Sequence, residues 1–531
     1  MRPVFLTAIV LGGCAIASVF RPASSQPPER LPNIAERLPN AAVADPAKPA
    51  GDKPYGVGKA PFDHRPAMSC SASSCHGGSE PGKPGSEYTL LAPEVIPSKS
   101  TDPHSRAYRV LFDQRSKDMV QKLGYKEEAH NATQCLACHS IEGTKDPATR
   151  DQAILSEGVG CGACHGPADK WIGQHYTAEW KAMSNREKWD KYGFAPTKNL
   201  TARTLICASC HVGGGERDMN HDMIAAGHPR LAFEPASFHA QEGYPKHWTE
   251  KGDLGDFEVR LWVVGQAATL RASVNLLYER AQRAEEHEKK DKGSDTPWPE
   301  FSGYSCYACH QKLPSTEVRS TLSEVLAEKK RRPGVPGWEL WSNTAIEVAA
   351  GSCELAFPGI SSSGPSNVKL PALKALRDLM GQSLSPSPAE VMKYAGPARD
   401  ELDLWLAKLQ AAEENATQSV DADTPRKIAN KLARNALSKD EQRSKLADHD
   451  WDALAANYLG AAAMYSAAGR GGAKTWEGPL LTLRGNLRFP PVEVGSRTTF
   501  NSPADRDFDR LIKLRENFES LRSTTGTREG K

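Results

Sequence analysis

A five-residue pattern, Cys-x-x-Cys-His, recurs along the first 310 residues and constrains the chain more than any other sequence feature. The chain has 12 cysteines and 15 histidines in 531 residues. At that composition about 0.01 matches are expected by chance. The observed matches are Cys135/Cys138/His139, Cys161/Cys164/His165, Cys207/Cys210/His211 and Cys306/Cys309/His310. The repetition indicates one kind of site used several times.

The spacing fits the covalent attachment of c-type haem. Two thiols reach the two vinyl groups on one edge of a porphyrin, and the next residue brings imidazole to the iron. A looser version has four residues between its cysteines and consists of Cys70, Cys75 and His76. The sequence therefore predicts five haems, with His76, His139, His165, His211 and His310 as proximal ligands, or four haems if the Cys70/Cys75 site is not used.

Zinc and disulfide bonds are the structural alternatives for these cysteines. Cys135, Cys138, Cys161 and Cys164 could form a four-cysteine zinc ribbon, and an exported chain could pair its cysteines. Neither alternative explains why histidine follows every second cysteine, so haem is the preferred interpretation. Cys14 and Cys353 lie outside the motifs, and we expect Cys353 to be a small buried residue.

A low-spin electron-transfer haem takes a second strong axial ligand, which histidine readily supplies. Five histidines have turn-forming neighbours that could fix a distal imidazole, and they are His104, His175, His221, His228 and His247. The weaker candidates are His64, His130 and His239. His287 and His449 lie among charged residues and are expected to be solvated.

The N-terminus begins with Met1-Arg2 and continues as an apolar run to Phe20. This segment is typical of an export signal or a membrane anchor. Leu11-Gly12-Gly13-Cys14 is similar to a lipobox, so a lipoprotein anchored through Cys14, a cleaved signal and an uncleaved anchor all stay open. Each of them places the rest of the chain in the periplasm or elsewhere outside the cytoplasm, with membrane association through the N-terminus alone.

The whole chain divides into four segments by composition. Residues 1–20 form the signal or anchor segment, 21–60 a Pro-rich linker, 61–314 a haem domain and 315–531 a helical domain without cofactors. The predicted fold class is mainly α, with a loop-rich haem domain that has few regular elements. One long helix is predicted from about Phe257 to Lys290, followed by helices at 317–330, 370–380, 389–412, 451–468 and 505–522.

The net charge of +2 and the absence of a basic, aromatic-rich face argue against nucleic acid as a partner. The sequence Gly158-Val-Gly-Cys161-Gly-Ala-Cys164-His165-Gly-Pro167, followed by His175, resembles the central haem motif of the cytochrome c554/c′ family. His104 in the segment DPHSRAY is similar to that family's early distal histidine. The segment from Asn220 to Glu234 is similar to larger multihaem relatives.

The resemblance covers about Pro61 to Pro314 and implies closely packed, mostly bis-histidine haems that pass electrons along a stack. The first site and the fifth motif depart from the four-haem prototype, and the C-terminal domain has no counterpart there. The preferred function is therefore an electron carrier without catalytic residues, which exchanges electrons with redox proteins or a quinol-linked membrane complex. The alternative is a redox enzyme that acts on a small nitrogen compound at one open iron.

Overall fold

The computed structural model describes residues 63–71, 75–76, 102–240, 254–289, 298–310, 331–359, 368–437, 450–472, 474–487 and 508–526, together with Pro54, Tyr244 and Glu250. These residues all belong to one compact unit. The predicted signal segment, nearly all of the predicted linker and the helix predicted at 317–330 lie outside the described residues. The predicted boundary at 314 also lies outside them and stays a prediction.

The fold is mainly α, as predicted. Within the described part of the chain β-structure is limited to two isolated bridges, Gly214 with Arg217 and Tyr304 with Trp338. None of the described helices has the length and apolarity needed to cross a bilayer.

Short helices make up the part of the chain that carries the first four motifs. They are α1 (Gln114–Lys122), α2 (Thr133–His139), α3 (Gln152–Ser156), α4 (Cys161–His165), α5 (Ala178–Ala182), α6 (Asn185–Tyr192), α7 (Leu200–His211), α8 (His221–Ala226) and α9 (Pro235–His239). Short 3-10 helices lie at Ala67–Cys70, Pro103–Arg106, Arg109–Phe112 and Pro147–Thr149.

The predicted long helix is confirmed as α10 (Leu254–Lys289). Its residues at helical spacing, from Val263 to Ala281, are buried, and Trp262 and Val264 on its other sides are buried too. A helix with apolar residues all round is expected at the centre of a core. α10 packs against α7 and against helices of the C-terminal part of the chain.

The C-terminal part is a set of packed helices. They are α11 (Cys306–Cys309), α12 (Leu340–Asn343), α13 (Ile346–Ala350), α14 (Cys353–Ala356), α15 (Pro371–Gln382), α16 (Pro388–Glu414), α17 (Thr424–Asn435), α18 (Trp451–Gly472), α19 (Glu477–Asn486) and α20 (Phe508–Thr525), with 3-10 turns at Phe301–Gly303 and Lys474–Trp476. α15, α16, α18 and α20 confirm four of the predicted helices to within a few residues.

One hydrophobic core joins α10 to these helices. Gly460 of α18 lies so close to Trp262 of α10 that a Cβ there would be 2.8 Å from the indole nitrogen. The Arg271 guanidinium of α10 also donates to the Asp403 carboxylate of α16, at 2.6 and 3.0 Å. Cys353 is buried in the same core, as expected. α7, which carries the fourth motif, and α10 therefore pack against the C-terminal helices.

Candidate haem sites

The four regularly spaced motifs all lie on helical turns. Three of them end α2, α4 and α7 with their histidine as the last helical residue, and the fourth forms α11 with His310 directly after it. One helical turn brings both cysteines and the histidine of a motif to one side of the backbone. Each motif thus presents two thiols and an imidazole together.

The looser first motif keeps the backbone closure of a regular one. The His310 amide donates to the Cys306 carbonyl oxygen at 2.8 Å, and the His76 amide donates to the Cys70 carbonyl oxygen at 3.2 Å. Residues 72–74 lie outside the described part of the chain. The first cysteine and the histidine of this motif are therefore joined by the same backbone hydrogen bond as in a regular motif, despite the two additional residues between the cysteines.

Four of the five proximal histidines face a second histidine at nearly the same separation. The pairs, with the distance between ring centres, are His76 and His175 at 6.2 Å, His104 and His211 at 6.0 Å, His139 and His228 at 6.4 Å, and His221 and His310 at 6.2 Å. Each pair joins one predicted proximal residue to one predicted distal residue. The structure thus brings together four of the five distal candidates with four different motifs.

This separation is the one that a shared metal ion requires. An imidazole nitrogen lies about 1.1 Å from the ring centre and binds a transition metal at about 2 Å, so two rings on opposite sides of one ion have centres about 6 Å apart. Two imidazole rings in direct contact would have their centres closer together than this. In two pairs the rings are near parallel, at 17° and 21°, and in two they are near perpendicular, at 89°.

Hydrogen bonds fix the orientation of several of these rings. Nδ1 contacts a backbone carbonyl oxygen in His139 (Ala107, 2.6 Å), His175 (Ile172, 2.9 Å) and His228 (Pro229, 2.8 Å), and it contacts the Asp102 carboxylate in His104 (2.8 Å). A metal-bound histidine usually donates its second ring N–H to a carbonyl or carboxylate in this way. Nε2 would then be free to bind a metal, so these residues fit a haem iron.

Residues 98–166 match the family model described as cytochrome c554 and c-prime. The match includes the second and third motifs and His104, and it relates the chain to the c-type cytochromes, which are electron carriers with haem c. It covers a minority of the chain and none of the C-terminal helices. No curated protein and no solved structure matches the chain.

The histidine of the third motif, His165, lies beside an aromatic ring. Its ring centre is 6.3 Å from that of Phe194, and its backbone carbonyl accepts a hydrogen bond from Ala195 at 3.0 Å. Its expected distal partner His247 lies outside the described residues. The pairing of His165 with His247 therefore stays a prediction.

The weaker histidine candidates have other surroundings. His130 stacks on Phe112 at a ring-centre distance of 4.2 Å, and His239 is buried between Tyr244 and Phe257 at 4.4 and 4.6 Å. His64 lies against Gly162 of the third motif, where a Cβ would be 2.7 Å from its Nδ1. His287 is partly exposed near the end of α10, and His449 lies outside the described residues.

Cysteines of different motifs lie next to one another. The Cys70 thiol is a neighbour of the Cys161 thiol, and the Cys138 thiol is a neighbour of the Cys210 thiol. All of these are free thiols. In the part of the chain that is described, no three or more metal-binding side chains form a group. The four-cysteine zinc ribbon is therefore not assembled.

Burial changes the acidity of the motif thiols before any attachment. Desolvation raises the pKa of the Cys135 and Cys207 thiols to about 11 and that of Cys164 to about 12. The neighbouring Cys138 thiol lowers the pKa of Cys210 instead. Most of these sulfurs are thus neutral, apolar groups that suit contact with a porphyrin edge.

Two kinds of functional residue were not identified from sequence. Asp102 is the first residue of the segment DPHSRAY and is not among the predicted site residues, although Asp-Pro directly before a histidine indicates an N-cap close to the imidazole. The carbonyl partners of His139 and His175 belong to residues with no distinctive side chain. These carbonyl partners can be identified only from the three-dimensional structure.

Proposed function

We propose that this chain is an exported multihaem c-type cytochrome that carries electrons through five haems. The observation that supports it best is the set of four histidine pairs with ring centres 6.0 to 6.4 Å apart, each built on a different Cys/Cys/His motif. Bound haem iron supplies a one-electron Fe(III)/Fe(II) couple, and histidine on both faces favours electron transfer over substrate binding.

The cysteines of each motif would attach one haem, and its histidine would be the proximal ligand. The four pairs support His175, His228, His104 and His221 as distal ligands for the first, second, fourth and fifth motifs. We assign His247 to the third motif, because it is the remaining strong candidate. Cys353 takes no part, since it is buried among the C-terminal helices.

Contacts between cysteines support an order for electron transfer. Cys70 is a neighbour of Cys161, Cys164 of Cys207, and Cys210 of Cys138, because in each pair one cysteine affects the pKa of the other. A haem attached at each motif would have its thioether edge next to the following one. The proposed order is therefore first, third, fourth and second motif.

The remaining parts of the proposal concern location and partners. An apolar N-terminus with a possible lipid attachment point at Cys14 supports export, with the haem-bearing body outside the cytoplasm. The partners would be redox proteins or a quinol-linked membrane complex. The nearly neutral charge of the chain gives no support to a nucleic-acid partner.

The test is an electron paramagnetic resonance spectrum of the oxidised holoprotein, combined with carbon monoxide binding to the reduced form. The proposal predicts low-spin ferric haem throughout and no carbon monoxide adduct. His175→Ala should convert one haem to high spin without loss of covalent haem, because it removes one distal nitrogen. His130→Ala is the matched control and should change neither signal, since His130 stacks on Phe112.

One result would contradict the electron-carrier function. A full equivalent of high-spin ferric haem in the unmodified protein would favour the alternative, which is a redox enzyme acting on a small nitrogen compound at one open iron. An unchanged spectrum for His175→Ala would contradict only the assignment of His175 as a distal ligand.

A further inference from the structure

His104 is the one histidine among these pairs whose Nδ1 is seen to contact a carboxylate, which belongs to Asp102. The His104 Nδ1 is 2.8 Å from a carboxylate oxygen of Asp102, whereas His139, His175 and His228 have backbone carbonyl oxygens in the same position. The Asp102 side chain is only 19% exposed. A neutral dipole is thus replaced by a shielded negative charge at one site.

The geometry of this contact is fixed by the local backbone. Asp102 is the N-cap of the 3-10 helix Pro103–Arg106, and the same carboxylate oxygen accepts a hydrogen bond from the His104 amide at 3.0 Å. Pro103 restricts the backbone between the two residues. The carboxylate therefore cannot move away from the imidazole without losing its capping bond.

A carboxylate acceptor acts on an axial ligand in a definite direction. A hydrogen bond to an ionised acceptor is roughly twice as strong as one to a neutral acceptor, and it shifts negative charge onto the imidazole. A more basic ligand stabilises ferric iron more than ferrous iron, because the ferric form has the additional positive charge. The effect lowers the reduction potential.

We propose that Asp102 sets the haem held by His104 and His211 to a lower potential than it would have with a neutral acceptor. This inference rests on the proposed function, because it needs haem at the fourth motif. The step concerned is the transfer of one electron to this iron from a neighbouring haem of the chain. The proton stays on Nδ1, and no bond forms or breaks.

The experiment compares Asp102→Asn with the unmodified holoprotein in a spectroscopic redox titration. Asparagine keeps a side-chain oxygen for the cap and for Nδ1 but has no charge. We expect one couple to become easier to reduce, with about a tenfold higher ferrous-to-ferric ratio at a fixed potential, which is about 59 mV for one electron. The haem count should be unchanged, and the resonance signal of one low-spin haem should shift.

Asp146→Asn is a matched control. Asp146 caps the 3-10 helix Pro147–Thr149 by accepting from the Ala148 amide at 2.9 Å, so it repeats the Asp-Pro cap with alanine in place of the histidine. Neutralising it should leave every potential unchanged. If Asp102→Asn does not mature, Asp102→Ser retains a capping oxygen without the charge and should give the same upward shift.

The outcomes separate this inference from the proposed function. An unmodified protein without low-spin haem would overturn the proposed function. Five intact low-spin haems with unchanged potentials in Asp102→Asn, or equal shifts in Asp102→Asn and Asp146→Asn, would overturn the role of Asp102 alone.

Discussion

Gly166, which follows the histidine of the third motif, has a backbone conformation that is almost restricted to glycine. Its φ is +83° and its ψ is 175°. A Cβ at this position would also lie 2.2 Å from the Gly193 carbonyl oxygen. The close approach lets the Ala195 amide donate to the His165 carbonyl oxygen. Gly166 therefore helps to fix the position of His165.

Gly166→Ala should lower the free energy of unfolding by about 2 to 4 kcal/mol, because the strain at positive φ adds to the clash with Gly193. Denaturant unfolding of the holoprotein measures this change. Gly215→Ala is the control, since Gly215 has φ +67° with no atom within 4 Å of the added Cβ. It should cost about 1 kcal/mol. Equal costs for the two variants would contradict the close approach of Gly166 to Gly193.

Among single residues, the sequence singled out the motif residues but not their environment. The motif spacing picked out the cysteines and the histidines that follow them, and turn-forming neighbours picked out His104, His175, His221 and His228, whose rings the fold brings to 6.0 to 6.4 Å from motif histidines. Which partner each histidine meets depends on contacts between distant segments. Local sequence does not encode those contacts, so the pairing needed the structure.

At the scale of the helices, α7 is stabilised by a residue from a distant part of the chain. α7 carries the fourth motif, and both carboxylate oxygens of Glu413 on α16 accept from the Leu200 amide at its first turn, at 2.8 and 2.9 Å. The Asn199 side chain caps the same end through Ala202. Burial of the carboxyl group raises the pKa of Glu413 to about 8.

Replacing Glu413 with glutamine should change how stability depends on pH. The unfolded carboxyl group loses its proton near pH 4.5 and the folded one only near pH 8, so the unmodified protein loses stability as the pH rises between these values. Glu413→Gln has no such proton. Its free energy of unfolding, relative to the unmodified protein, should therefore increase by about 1 to 3 kcal/mol from pH 5 to pH 8.

Urea unfolding at both pH values measures this difference. Glu390→Gln is the control, because it makes the same chemical change at an exposed residue in the first turn of α16. The change with pH should be larger for Glu413→Gln than for this control. A Glu413→Gln difference that does not change with pH would show that the folded carboxyl group ionises normally.

Helices could be predicted from sequence where they were long enough to show a period. The pattern from Val263 to Ala281 predicted α10, and similar patterns predicted α15, α16, α18 and α20. α4 and α11 are 5 and 4 residues long, which is little more than one turn and too short for periodicity. Their helical form follows from the haem motif and from tertiary contacts.

For the whole molecule, composition correctly indicated a mainly α chain but not how its parts share a core. The buried cluster extends from Leu200 in α7 through α10 to Leu521 in α20. The predicted boundary near residue 314 rests on a change in sequence texture where the motifs end. α10 buries apolar residues on several sides and contacts helices from both parts of the chain, and these contacts could not be read from composition.

The central claim is that five haems are attached covalently to this chain, and intact mass measures it most directly. The protein should be matured in a host that attaches c-type haem, with its N-terminus determined on the same sample. The account predicts the mass of the polypeptide plus five haems, and plus four when Cys70 and Cys75 are both replaced by serine. A mass equal to that of the bare polypeptide would contradict it. So would a serine variant that carries as many haems as the unmodified protein.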